Sequence, residues 1–158
     1  MATLVVPMAG RSSRYPNLRP KWMLSHPMSN TFMGIAAIQG LNLDFFDKIY
    51  WVTLKEYQEK YQFEQGYLEE LDQVGLKEKS EIVLLDKETS SQSETVCELI
   101  KKKNLKDFIF IKDSDGYYEC ELKDESNQVA YFDLNDMDNI NARSKSYVEL
   151  DHNGVVTN

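Results

Sequence analysis

The chain has 158 residues, enough for one domain with its own core and short for two. Its 42% hydrophobic and 28% charged content is that of a folded globular protein, which argues against disorder, and no apolar run approaches the ~20 residues of a membrane span. A net charge of -8 and a pI near 4.8 argue against broad nucleic-acid binding, which needs cations spread along a face.

The start of the chain enters a strand directly, with no charged leader or cleavage site, so no signal peptide and a cytoplasmic location are expected. Cys97 and Cys120 fit neither a metal spacing nor a disulfide framework and read as two reduced, half-buried thiols.

Leu4 to Val6 suits a buried strand, and it breaks at once into small and turn-forming residues. The loop that follows holds Arg11, Arg14, Arg19 and Lys21, and Met1 to Leu24 contains no Asp or Glu. Those 24 residues therefore carry +4 and the remainder -12, a cationic loop on an acidic body that suits a local anion. Asn30 is placed to cap a helix running to about Gln39, with Gly40 as its stop. Asp47 to Leu54 reads as a second strand, and Lys55 to Val74 as one or two helices ending at Gly75. Glu81 to Leu85 is a third strand. Ser91 to Glu94 then has the spacing of a capping box, followed by a helix with Val96, Leu99 and Ile100 inward and Lys101 to Lys103 at its end.

Asp107 to Lys112 is a near-continuous apolar run, as a central strand covered on both faces would be, and it ends in Asp113-Ser114-Asp115-Gly116. Beyond it, Tyr117 to Leu122, Gln128 to Leu134 and Ser146 to Leu150 read as short strands. Asp151 to Gly154 reads as a turn, and Val155 to Thr157 as the start of another strand. Alternating strands and helices up to Asp113 predict an α/β fold with a Rossmann-like, mostly parallel sheet and right-handed crossovers. In such sheets the ligand sits beyond the carboxyl ends of the strands. The Gly10 loop, the Thr89 to Ser93 loop and the Asp113 turn all follow strand ends and are expected to converge there.

In the first loop, Ala9, Gly10, Ser12 and Ser13 are small enough for backbone amides to approach a phosphate. Arg14 adds a planar fork and Lys21 a point charge, the candidate catalytic pair for stabilising a triphosphate. Arg11 and Arg19 are weaker candidates, and the bland alternative is a turn with solvated arginines. Asp113 and Asp115 straddle a serine where two carboxylates can share Mg²⁺; the alternative is a plain Ser-Asp-Gly turn. Ser91 and Glu94 are accounted for by a helix cap, while Ser91, Gln92 and Thr95 also suit contact with a nucleobase or ribose. His26 and His152 are isolated, the aromatics from Tyr57 to Tyr67 read as core packing, and no Ser/His/Asp or Cys/His set assembles.

Val6-Pro7-Met8-Ala9-Gly10-Arg11-Ser12-Ser13-Arg14 followed by Pro20-Lys21 resembles the signature loop of the sugar-phosphate nucleotidyltransferases that make nucleoside-diphosphate sugars, where Gly-x-Gly-Thr/Ser-Arg precedes Pro-Lys. His26-Pro27-Met28 is similar to that family's Gly-Lys-Pro-Met segment, and Ile109 to Asp113 to its strand ending in the metal aspartate. Ser12 stands where the second glycine is usual, and Trp22 where proline is common. The resemblance spans Leu4 to about Asp115.

It implies that a nucleoside triphosphate and a sugar 1-phosphate, or another phosphorylated acceptor, give a nucleoside-diphosphate sugar and pyrophosphate. The product would serve surface polysaccharide synthesis. Met8, Ala9, Gly10, Arg11, Ser12 and Ser13 would bind the triphosphate with Arg14 and Lys21, Asp113 and Asp115 would hold Mg²⁺, and Ser91, Gln92 and Thr95 would contact base and ribose. Nucleic acid and membrane are not expected partners, and a homo-oligomer is left open. Family members carry a longer C-terminal half, so a single shortened domain over residues 1–158 is expected. Two alternatives are a glycosyltransferase with a related sheet, which leaves Arg14 and Lys21 without a role, and a non-catalytic nucleotide-binding module.

Overall fold

The computed structural model of the chain describes residues 1–10, 17–122, 126–136 and 147–157. The chain divides into two compact units, Met1–Glu125 and Ser126–Asn158.

The first unit opens with strand β1, Ala2–Pro7, whose six residues are all buried. The chain then makes a 3-10 turn at Lys21–Met23 and a short helix, α1, Met33–Ile38, before strand β2, Lys48–Leu54. Helices α2, Lys55–Tyr61, and α3, Glu64–Gln73, lead to β3, Ser80–Leu85, and helix α4, Gln92–Lys103, leads to β4, Phe108–Ile111. The four strands pair in parallel in the order β3-β2-β1-β4. The α/β fold expected from the alternation is the fold observed.

This order locates a crevice. The first two crossovers carry the chain outward from β1 through β2 to β3, and α4 then returns it past β1 to the opposite edge. The direction of winding reverses between β1 and β4, and ligands of such sheets sit at that reversal, outside the strand ends. Val5 is in register with Tyr50 on one side and Ile111 on the other, so the segments after β1 and β4 leave side by side.

The core beneath the sheet is aromatic. Fully buried Tyr67 of α3 lies 5.2 Å from Trp51, 5.1 Å from Phe32 and 5.7 Å from Trp22, ring centre to ring centre. The aromatics between Tyr57 and Tyr67 are packing groups, as read. The two cysteines are free thiols, Cys97 exposed and Cys120 half-buried. Among the described residues no helix is long and apolar enough to cross a membrane.

Three expectations are corrected. The run before Asp113 forms an edge strand: Phe108, Ile109 and Phe110 are half-buried and Ile111 is 47% exposed. An apolar run reads alike at an edge and at the centre, and only the path of the crossover decides between them. Asn30 does not cap α1. It sits at φ 57° in a tight turn closed by a Ser25–Phe32 bridge, and the helix begins at Met33. The carboxylate of Glu70 in α3 instead accepts the Phe32 N–H at 2.6 Å, a cap supplied by another helix.

The third correction concerns the short strands read after Gly116. Tyr117 to Leu122 makes one bridge, Leu41 with Cys120, and Gln128 to Asp133 makes no strand, with Val129, Tyr131 and Phe132 exposed. Tyr147 to Leu150 contributes one bridge, Leu150 with Val156, while Ser146 lies outside the described residues. A strand needs a partner edge, and alternation of residue types does not supply one. In the second unit the Asp151 to Gly154 turn is formed as read: the Asp151 carboxylate accepts the N–H groups of Asn153 and Val155, and Gly154 takes φ 77°.

Within the first unit, the segment after β4 is strapped to the loop after α1. The Cys120 N–H donates to the Gly40 carbonyl at 3.0 Å, and the Asn42 side chain accepts the Leu122 N–H at 3.1 Å. A Cβ on Gly40 would stand 2.2 Å from the Tyr118 carbonyl oxygen, so only glycine admits this approach. Gly40→Ala should therefore destabilise the protein by about 1–3 kcal/mol, read as a lowered urea midpoint, because backbone rather than a movable side chain must give way.

Candidate functional site

The basic side of the crevice starts where β1 ends. The Met8 N–H donates to the Val52 carbonyl at 2.6 Å, and Met8 and Ala9 are buried. Gly10 is the first exposed residue after β1, and no atom of the described residues stands where its side chain would; its carbonyl accepts the Tyr57 hydroxyl at 3.4 Å. Arg11, Ser12, Ser13 and Arg14 lie outside the described residues.

Pro20 then leads into the Lys21–Met23 turn, closed by the Met23 N–H on the Pro20 carbonyl at 2.9 Å. Trp22 fixes this turn. Trp22 is 2% exposed and its ring meets that of Phe63, just before α3, edge-on at 4.9 Å, while its buried indole N–H has no partner among the described residues. The sequence offered no role for Trp22; the structure makes it the anchor that holds its neighbour Lys21 at the surface. Arg19 lies over the Tyr61 ring at 5.9 Å, a surface cation–π contact.

The acidic side starts where β4 ends. Lys112 extends the ladder by one bond, its N–H donating to the Val5 carbonyl at 3.0 Å, and its side chain is fully buried. The ammonium donates to Asp113 Oδ1, to the Gly116 carbonyl, and to the Asp113 carbonyl at 3.2 Å, and it lies 4.3 Å from the centre of the Tyr118 ring. A Cβ on Gly116 would stand 2.8 Å from Asp113 Oδ2, so the turn has closed onto the aspartate. Burial, then the charge of Asp113, pushes the Tyr118 hydroxyl up to about 12.

The two sides meet. Lys21 Nζ lies 2.7 Å from Asp115 Oδ2, joining residues 94 positions apart. Both side chains are more than a third exposed, so the pair contributes no more than about 1 kcal/mol and is open to exchange with an incoming anion.

The third segment stands elsewhere. The loop before α4 leaves β3, at the sheet edge opposite β4 and two strands, or roughly 10 Å, from β1. Ser91 caps α4, its hydroxyl accepting the Glu94 N–H at 3.2 Å, while the Glu94 carboxylate accepts the N–H and hydroxyl of Ser90 at 2.5 and 2.7 Å. Ser91 and Gln92 are exposed. Thr95 is buried, and its hydroxyl is engaged by Thr89 at 2.6 Å and by the Ser91 carbonyl at 3.2 Å. Of the three loops expected to converge, the structure brings two into contact. Lys112, Gly116 and Trp22 had no place in the predicted site; the available signal was a lysine closing an apolar run directly before Asp-Ser-Asp-Gly.

No protein-family model matches the chain, and no curated protein matches it. Among solved structures it is similar to a nucleoside-diphosphate-sugar pyrophosphorylase from Vibrio cholerae RC9, with 25% sequence identity and a TM-score of 0.47. The match covers 71% of this chain and 47% of that one, so the chain spans about half of that protein's length.

The Ser90 hydrogen bonds hold the Glu94 carboxyl below the usual glutamate range. A depressed value in the folded state means that its contribution to stability is present above the ordinary value and lost as pH falls through the folded one. Acid melting below the ordinary glutamate range should therefore show a component that Glu94→Gln abolishes.

Proposed function

We propose that this chain binds a nucleoside triphosphate at the carboxyl ends of β1 and β4 and serves nucleotidyl transfer to a sugar 1-phosphate or a similar phosphorylated acceptor. The observation that carries the reading is the Lys21–Asp115 contact at 2.7 Å, which sets the Pro-Lys end of the cationic loop against the Asp-Ser-Asp turn. A phosphate chain competes for Lys21, and the weak, exposed pair yields it at little cost. Arg14 supplies a second cation from the same loop, and Gly10 the open backbone that lets phosphate approach. Ser91 and Gln92, exposed after β3 and two strands from β1, would reach the base and ribose only of a nucleotide laid across the strand ends over β2.

The carboxylates suit Mg²⁺. Asp113 Oδ1 is taken by Lys112 and Asp115 Oδ2 by Lys21, which leaves one oxygen of each for a cation. Among the described residues no group of three or more His, Cys, Asp or Glu is arranged to hold a metal, but Mg²⁺ is commonly held by one or two carboxylates together with phosphate oxygens and water. When bound, it would neutralise charge on the phosphates during transfer. The role of the chain's own groups is positioning and electrostatic: Lys21 and Arg14 bind the phosphates, and the turn fixes the acids opposite them.

Nucleoside triphosphate with Mg²⁺ should raise the melting temperature by roughly 5–10 °C at a hundredfold excess over Kd. Lys21→Ala should weaken that binding by about tenfold or more without lowering the melting temperature of the free protein. Asp113→Asn should retain metal-free binding and lose the increment that Mg²⁺ adds. A protein unmoved by all five common triphosphates would sink the reading, and stabilisation by a UDP-sugar alone would replace it with the glycosyltransferase.

A further inference from the structure

Lys112 has a side chain with no exposed surface, and an ammonium in that position is costly unless every donor is met. Here every donor is met, and all by one turn: Asp113 Oδ1, the Asp113 carbonyl and the Gly116 carbonyl accept its three protons, and the Tyr118 ring covers the remaining side. Without this cation the two carbonyls and the carboxylate would face each other with no donor between them. The turn's shape follows from the lysine, since Gly116 comes so close to Asp113 that a side chain there would collide with Oδ2. Asp115, carried by the same turn, is thereby delivered to Lys21.

We infer that Lys112 is the positioning residue of the crevice: its buried ammonium gathers the turn from Asp113 to Gly116, fixes the Asp113 carboxylate with Oδ2 left for a ligand-borne cation, and presents Asp115 to Lys21. Being fully buried, Lys112 touches neither phosphate nor metal, and it acts through the two aspartates. This inference rests on the nucleotide-binding reading for its ligand, while its structural half stands on the turn alone.

The test compares wild type, Lys112→Met, which keeps most of the length of the side chain and removes the ammonium, and Gly116→Ala, which leaves Lys112 in place and displaces the Asp113 carboxylate. Nucleoside triphosphate binding is measured with and without Mn²⁺, following the metal by its electron paramagnetic resonance, and amide hydrogen exchange is followed from Ser114 to Tyr118. Both variants should lose about tenfold or more of the affinity that Mn²⁺ adds, the equivalent of a charge-assisted hydrogen bond, while metal-free binding, which uses Lys21, changes less than about threefold. Exchange at the turn should quicken by about tenfold in Lys112→Met.

A merely structural lysine would lower both modes of binding together with the melting temperature, and that result overturns the proposal. If Lys112→Met does not fold, Gly116→Ala carries the same comparison, and an unchanged Mn²⁺ increment in it overturns the proposal as well. A wild type that binds no triphosphate in either condition defeats the nucleotide reading. Exchange at Ser114 to Tyr118 then decides the positioning role by itself, with faster exchange in Lys112→Met supporting it and unchanged exchange refuting it.

Discussion

The placement of β1 between β2 and β4 is the constraint on which the rest of the first unit depends. All six of its residues are buried, and it shares hydrogen bonds with β2 along one edge and β4 along the other. A parallel strand without a paired neighbour cannot keep its backbone groups satisfied away from water, so both partners are required. Once they are in place, the chain must leave β1 toward β2 and enter β4 from the far side, and the crevice between the two departing segments follows from that path.

The site built at this crevice uses two lysines in opposite environments. Lys21 is at the surface, held there because adjacent Trp22 is sunk between Phe63 and Tyr67, and its pairing with Asp115 is solvated and weak. Lys112 is wholly buried, and its contacts with Asp113 and Gly116 are local and complete. In water the first pair is weak and readily broken, while the second, with its ammonium removed from water, is not. On the proposed reading, one lysine meets the ligand and the other holds the groups that meet it.

The segment after β4 is secured at both ends. Its first residues close around Lys112, and Tyr118 to Leu122 are tied to Gly40 and Asn42 of the loop after α1. This explains why residues 117–122 lie against the body of the unit without forming a strand. Their hydrogen bonds go to a loop rather than to a sheet edge, and the backbone approach at Gly40 substitutes for side-chain packing.

Much of the architecture was legible from residue order alone. The strand-helix alternation, the capping serine at α4, the break at Gly75 and the charge contrast between the opening loop and Asp113-Ser114-Asp115 are local or compositional signals that survive without a structure. The edge position of β4, the capping of α1 by Glu70, the burial of Lys112 and the anchoring of Trp22 were not legible, and each for the same reason. They depend on which distant segment lies alongside: an apolar run is equally apolar at an edge, and a lysine reads as solvated until the turn after it folds back over its ammonium. Short-range sequence determined which elements form, and long-range packing decided which of their side chains meet.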